Sequence, residues 1–302
     1  MTLPRARYSD NDAPFLASPQ GGWLAGPWRR PTNSSSHETG SIHDDTTAQA
    51  LGFRRGTVAG SIHMEQFTPL LLHALGADWQ RTGGLSLWFM QPTADGEPVQ
   101  AQVRDGPAAR RDLRMLAADG GLVLQGSASS SDDMHGSLRQ RLAGMRPGAP
   151  PRMLASLAGG ICAAGLPTRV AQADVAQRLA LITEARATFT QPAGRVGCEV
   201  PLSAAVHAMR VFEAQLPVNQ NGFVGLFGGI EWQWLDGPMF TERPYQVSGR
   251  VVAVTDSPRS EMLWTQTTLR DPATGRDVAR MLMLSRLLKQ SSALWASETL
   301  HP

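Results

Sequence analysis

Residues 57–76, TVAGSIHMEQFTPLLLHALG, are apolar at so many positions that a helix built from them must be buried on most sides. Met64, Phe67, Leu71 and Leu75 recur at helical spacing, and Leu70, Leu72 and Ala74 widen the stripe. Gly76 supplies the stop. Such a helix needs an apolar surface to lie on, and strand-like segments follow it directly. LSLWFMQ alternates with Leu85, Leu87 and Phe89 on one face, and PVQAQV alternates through Val99, Ala101 and Val103. RDLRMLAA and GLVLQGSA come next, separated by the turn residues Asp119, Gly120 and Gly121.

The same order returns in the second half. LSAAVHAMRVFEAQL reads as a helix, and GIEWQWL, YQVSGRVVAV, EMLWTQTTL and DVARMLMLSRLL read as strands. Three landmarks align in order: His63 with His207 at an offset of 144, Trp88 with Trp234 at 146, and Pro98 with Pro244 at 146. The pattern predicts an α+β protein of two units, each a central helix against an antiparallel sheet. Ser, Asp, Gly and Pro dominate residues 129–151, which reads as the linker region, so the expected units are residues 1–145 and 146–302. The first 36 residues are rich in Pro, Gly, Ser and Asn, with Trp23 and Trp28 as expected anchors onto the folded body.

Composition narrows the function classes. The 302 residues are 42% hydrophobic and 18% charged, with a formal net charge of +2, which favours neither nucleic acid nor an anionic membrane as the main partner. Cys162 and Cys198 are the only cysteines; two thiols form no disulfide framework and no CxxC site, and both are expected to be reduced. MTLPRARYSDNDAPFL lacks the apolar core of a signal peptide, and no apolar run approaches the roughly 20 residues that span a bilayer. The expectation is a cytoplasmic protein with no membrane partner.

Between the N-terminal segment and the apolar helix lies a polar loop, residues 34–48, SSSHETGSIHDDTTA. Glu38 and His43 are five residues apart in it, and a carboxylate and an imidazole can serve as acid and base near neutral pH. The same loop also reads as an ordinary surface loop in which Ser41 or Thr46 caps the following short helix, TTAQALGF, closed by Gly52. A third reading gathers His37, His43, Asp44 and Asp45 around a metal, but no HExxH or HxH spacing supports it, and no metal or other cofactor is expected.

The run from His37 to Glu97 resembles the MaoC-like hydratase/dehydratase group of the hot-dog fold. In that group a GD-x-NP-x-H-x-D loop precedes a small helix, a VAHG-like segment opens the central helix, and a Phe…Pro…Gly-Asp/Glu signature follows in the strands. Here the corresponding residues are Glu38, His43 and Asp45, then Gly52-Phe53, Val58-Ala59-Gly60-Ser61, and Phe89, Pro92, Gly96 and Glu97. The chain departs from the pattern where Glu38 stands for the catalytic Asp, Gly40-Ser41 for Asn-Pro and Gly60 for the His of VAHG. The likeness covers roughly residues 37–103, and the second half shares only the order of elements.

This resemblance implies a double hot-dog, two fused units imitating a homodimer, working as a monomer or a homodimer. It implies acid/base catalysis by Glu38 and His43 of water addition or elimination on a CoA or carrier-protein thioester. Main-chain N–H groups of Gly60 and Ser61 would stabilise the thioester oxygen, with His63, within one turn, and Asp45 of the loop as further substrate-binding residues. Gly60 would also let the substrate carbonyl approach closely. Two alternatives remain open: a thioesterase or secondary-metabolite lyase/isomerase, and a non-catalytic acyl-binding subunit. His63 and His207 read first as structural, and Glu65 and Gln66 are polar exceptions on an apolar helix. Trp232, Trp234 and Trp264 read as packing residues, and Arg259 and Glu261 as a surface turn. Residues 182–189, ITEARATF, carry no histidine to match His43, so Glu184 has no acid/base partner, and the second unit is expected to be inert, with apolar filling at that place.

Overall fold

A computed structural model describes residues 17–132, 135–145, 148–157, 160–192, 194, 196–219 and 222–296. The first 16 residues, on which the reading of a missing signal peptide rests, lie outside this set, as do small parts of the expected linker.

The long apolar stretch forms two helices in tandem, α2 (Gly60–Glu65) and α3 (Phe67–Leu75), joined at Gln66. The joint has a physical cause. Pro69 cannot donate to the carbonyl of Glu65, and its ring crowds that carbonyl, so the helix tightens there and Gln66 N–H turns to His63 O at 3.2 Å. Preceding them, α1 (Asp45–Ala50) is followed by Gly52 at φ +83°, a left-handed position that suits glycine. The cap of α1 differs from the expected Ser41 or Thr46. It is Asp44, whose carboxylate accepts from Thr47 N–H at 3.0 Å and Thr47 Oγ1–H at 2.6 Å, and these bonds hold its carboxyl below the usual range.

After the short α4 (Trp79–Thr82) come the four expected strands, β3 (Gly84–Phe89), β4 (Val99–Arg104), β5 (Arg110–Ala117) and β6 (Leu122–Ser129). In the second half α7 (Leu202–Met209) runs into a 3-10 turn over Arg210–Gln215, shorter than the helix expected from sequence. Pro217 explains the end, because it drives Leu216 into an extended conformation, φ −76°, ψ 130°. Then follow β8 (Gly225–Trp234), β9 (Tyr245–Asp256), β10 (Ser260–Asp271) and β11 (Arg276–Leu288). The landmarks fall where the repeat requires: Trp88 and Trp234 in β3 and β8, and Pro98 and Pro244 immediately before β4 and β9.

All neighbours in the sheet are antiparallel, in the order β4-β5-β6-β3 for the first unit and β8-β11-β10-β9 for the second. The second set mirrors the first about the β3–β8 seam, where Gly84 faces Gln233 and Trp88 faces Gly229. Short strands that periodicity does not reveal extend both edges: β1 (Ser18–Gln20) and β2 (Trp23–Ala25) beside β4, and β7 (Cys162–Thr168) beside β9. Trp23 anchors its segment, with Arg114 and Arg104 lying 4.0 and 4.6 Å from its ring centre.

One face of the sheet packs on the helices through Phe67, Leu71, Phe212, Ile230 and Trp232, and Trp232 meets Trp234 edge-on at 4.9 Å. On the opposite face, α5 (Ser137–Ala143), a helix inside the stretch read as linker, lies over the central strands, and its Leu138 packs on Trp264, Leu282 and Leu284. The two units also meet through their helices, because Ser203 N–H at the start of α7 donates to Glu65 Oε2 at 2.8 Å. Burial pushes the Glu65 carboxyl up to about 7, against the pull of that hydrogen bond and of Arg186 and Arg178.

Two sequence expectations need correction here. Glu261 is fully buried instead of lying in a surface turn: it accepts main-chain N–H bonds from Arg152, Met153 and Leu154 at 2.7 to 3.1 Å and one from Trp295 Nε1 at 2.9 Å. Glu184, at the 146-residue offset from Glu38, is buried against Arg29 with contacts of 2.6 and 3.1 Å. That position therefore holds an ion pair to the N-terminal segment in place of apolar filling. Burial raises the Glu184 carboxyl against the pull of Arg29.

Candidate active site

The polar loop lies at the junction of the units because its apolar residues are docked on the second one. Ile42 and Ala48 pack with Val224, backed by Leu226 and Leu288, so the residue next to His43 is anchored on the start of β8 and the end of β11. The helices, the loop and these strand ends line an open cavity of about 1480 Å³. It is larger than the roughly 300–1,000 Å³ usual for small-molecule pockets.

His43 is held from three sides. Its N–H donates to Ser41 Oγ at 3.1 Å, its carbonyl accepts from Asn33 Nδ2 at 2.8 Å, and its ring Nδ1 lies 2.6 Å from Thr57 O. A carbonyl oxygen only accepts, so Nδ1 carries a proton, and Nε2 is the ring nitrogen left uncommitted on a residue that lines the cavity. Gly56 makes this placement possible, since a Cβ there would stand 2.1 Å from His43 O. Asn33 is itself tied down through its N–H to Asp95 Oδ1 at 2.7 Å. Sequence reasoning misses Asn33, Gly56 and Thr57. The adjacent Gly56-Thr57 pair opening the helix segment is the signal available for two of them.

Glu38 is an exposed residue on the lining of the same cavity, in a loop turned by Ser41 N–H donating to Glu38 O at 3.0 Å. Gly60, Ser61 and His63 also line the cavity, at the opening of α2. The space left by the absent Gly60 side chain is used by Phe89, whose ring would lie 2.7 Å from a Cβ, and not by open solvent. His63 is buried: its Nε2 pairs with Thr93 Oγ1 at 2.7 Å, and burial lowers it to about 4, so it is neutral at pH 7. Asp45 stands apart. It does not line the cavity; its Oδ1 accepts Gly56 N–H at 2.7 Å, which closes the loop carrying His43. Glu65 and Gln66 likewise lie off the cavity and are buried, Glu65 against the start of α7.

The second unit contributes more than the sequence suggests. His207 of α7, Arg178 of α6 (Gln172–Leu179) and Arg210 all line the cavity opposite the loop. The His207 ring is open to the cavity interior, and burial together with Arg178, Arg210 and His43 holds it near 4. Arg259, from the turn read as a bland surface feature, lines the cavity too. Among the described residues no group of three or more His, Cys, Asp or Glu is placed to hold a metal ion, and no helix is long and apolar enough to cross a membrane. Cys198 is buried and Cys162 exposed, both as free thiols.

No protein-family model matches the chain, and no curated protein matches it in sequence. Solved structures match it in fold. One is a structure described as a MaoC domain protein dehydratase from Chloroflexus aurantiacus: 11% identity, TM-score 0.55, 93% of this chain and 98% of that one. A conserved hypothetical protein from Mycobacterium tuberculosis with a double hotdog fold matches with 14% identity and TM-score 0.55, over 94% of this chain and 99% of that one. A MaoC-like dehydratase matches with 11% identity and TM-score 0.51, over 88% and 97%. Identities this low show the fold, and the fold is a double hot-dog.

Proposed function

We propose that this protein is a hydratase/dehydratase of acyl thioesters, working on an enoyl or 3-hydroxyacyl group carried by CoA or a carrier protein. The observation that carries the reading is the fixed tautomer of His43: Nδ1 is committed to Thr57 O at 2.6 Å, and Nε2 is left as a base on a cavity that Glu38 also lines. In the hydration direction, Nε2 takes a proton from water as the water oxygen bonds to the β-carbon. Electrons move through the double bond to the thioester oxygen, and Glu38, which enters the cycle in its protonated form, gives its proton to the α-carbon. One water is added; His43 is left protonated and Glu38 ionised, and proton exchange through solvent at the exposed Glu38 resets the pair.

Main-chain N–H groups of Gly60 and Ser61, in the first turn of α2, are the donors offered to the enolate oxygen, with Phe89 beside them to exclude water. The proposed division assigns the reactive loop to residues 1–145 and leaves 146–302 without a loop of its own. Asp45 acts in this scheme by positioning, through Gly56. The likeness to dehydratase structures agrees with the reading without deciding the reaction. The experiment is a panel of enoyl-CoA and enoyl-pantetheine thioesters assayed in parallel for water addition and for thiol release. Water addition without thiol release supports the reading. Thiol release would replace it with a thioesterase, and binding without either reaction would make the protein an acyl carrier or scaffold.

A further inference from the structure

The cavity carries more positive charge than its own acids balance. Arg178, Arg210, Arg259 and Arg286 line it, against Glu38 and Glu213. Arg210 is satisfied by Glu213 Oε2, at 3.0 Å from Nε and 2.7 Å from Nη2. Arg178 is different. It is half-buried on α6, and among the described residues no carboxylate or other acceptor bonds its guanidinium. Glu65 attracts it only over a longer range, and burial draws its proton affinity down. The His207 ring likewise lacks a hydrogen-bond partner among the described residues while facing the same space.

A half-buried guanidinium without a counter-ion is costly, and the imidazole of His207 close to it adds repulsion whenever that imidazole is charged. An incoming anion relieves each of these costs at once: it pairs with Arg178, accepts from His207 and offsets the excess charge. We propose that Arg178 and His207 form a subsite for an anionic oxygen group of the thioester substrate, held by the second unit opposite Glu38 and His43. The group is either a carboxylate on the acyl moiety or a phosphate of the carrier. The degenerate second unit thus supplies substrate recognition for the reactive loop of the first. The inference rests on the proposed function only in placing an acyl thioester in this cavity.

The test measures binding and not turnover, using amide analogues of acyl-pantetheine that neither hydrate nor cleave. Four ligands are compared by calorimetry: a neutral acyl chain and one ending in a carboxylate, each on pantetheine and on phosphopantetheine. The expected result is that one of the two anionic groups improves affinity about tenfold or more, and that Arg178→Met abolishes this gain while leaving the neutral ligand unchanged. Arg178→Lys should retain part of the gain, which separates a charge role from a folding defect. A gain with the carboxylate identifies an acidic acyl group, and a gain with the phosphate identifies the carrier. Equal affinities for all four ligands, or a gain that persists in Arg178→Met, would overturn the proposal. Charge discrimination in a protein without hydratase turnover would count against the proposed reaction alone.

Discussion

His43 Nδ1 lies 2.6 Å from the main-chain oxygen of Thr57, and this one contact decides which ring nitrogen is free to act as a base. If Nε2 is that base, His43→Ala should lower kcat by roughly 10²–10⁴-fold, the usual range for general acid/base groups. Affinity for an unreactive acyl-pantetheine amide should stay within a few-fold. Equal losses in kcat and affinity would make His43 a binding residue instead.

Gly56 provides a subtler probe, because it touches no ligand. A methyl group there would meet His43 O at 2.1 Å and push the loop away from Asn33. Gly56→Ala should therefore reduce kcat, with the melting temperature moving by only a few degrees. Displacement of about 1 Å at a reacting group is enough to cost about 10²-fold. Unchanged kcat in a folded Gly56→Ala protein would show that His43 need not be held where it is.

Glu38→Gln keeps the shape of the side chain and removes its proton transfer. We expect kcat and kcat/KM to fall together, the pattern of an interaction made only in the transition state. A rise in KM at constant kcat would mean that Glu38 merely positions substrate.

The Glu65 carboxyl sits near 7 in the folded protein, against an ordinary value of 4.5. Between those values the folded state holds more protons than the unfolded state, so this group lowers stability as pH rises from 4.5 to 7, and adds nothing further above 7. Glu65→Gln retains an acceptor oxygen for Ser203 N–H and does not titrate. Relative to wild type, its stability in denaturant titrations should therefore improve over that range, by up to about 3 kcal/mol. His63 and His207, each lowered to about 4, act in the opposite sense, losing stability as pH falls below 6.5, and are common to both proteins. A difference between variant and wild type that stays flat with pH would contradict the assignment.

The buried Arg29–Glu184 pair ties the N-terminal segment to the second unit. Arg29→Met leaves a buried carboxylate uncompensated and should cost about 3–5 kcal/mol. Adding Glu184→Leu should recover much of that loss, and equilibrium unfolding of the three proteins checks both steps. A double variant no more stable than Arg29→Met would show that the lost contacts are packing and not charge.

The parts of this fold that can be read from sequence are those governed by local periodicity. The apolar stretch around Phe67 and the alternation through Leu85 and Leu87 report burial residue by residue, and their recurrence around Phe212 and Trp234 reports the duplication. Three-residue strands such as Trp23–Ala25 have no period to detect, and α5 is hidden in a stretch whose Ser, Gly and Pro suggest only a linker. Glu261 looks like a surface residue until Arg152 to Leu154 and Trp295 arrive from distant positions to bond it. The site divides in the same way. Glu38, His43, Gly60, Ser61 and His63 stand out through a local motif, and they line one cavity. Asn33 reaches His43 only through a contact made by folding, and Arg178 and His207 come to the cavity only through the tertiary fold, so no spacing between them could announce it.

The deciding measurement is the fate of an enoyl-CoA incubated with the purified protein, followed at once for loss of the conjugated double bond, formation of 3-hydroxyacyl-CoA and appearance of free thiol. If Glu38 and His43 act as proposed, the double bond is lost, the 3-hydroxyacyl thioester accumulates to equilibrium, no thiol appears, and His43→Ala slows the reaction by roughly 10²–10⁴-fold. Thiol release, or an unchanged enoyl group across chains that bind, would contradict the hydratase reading.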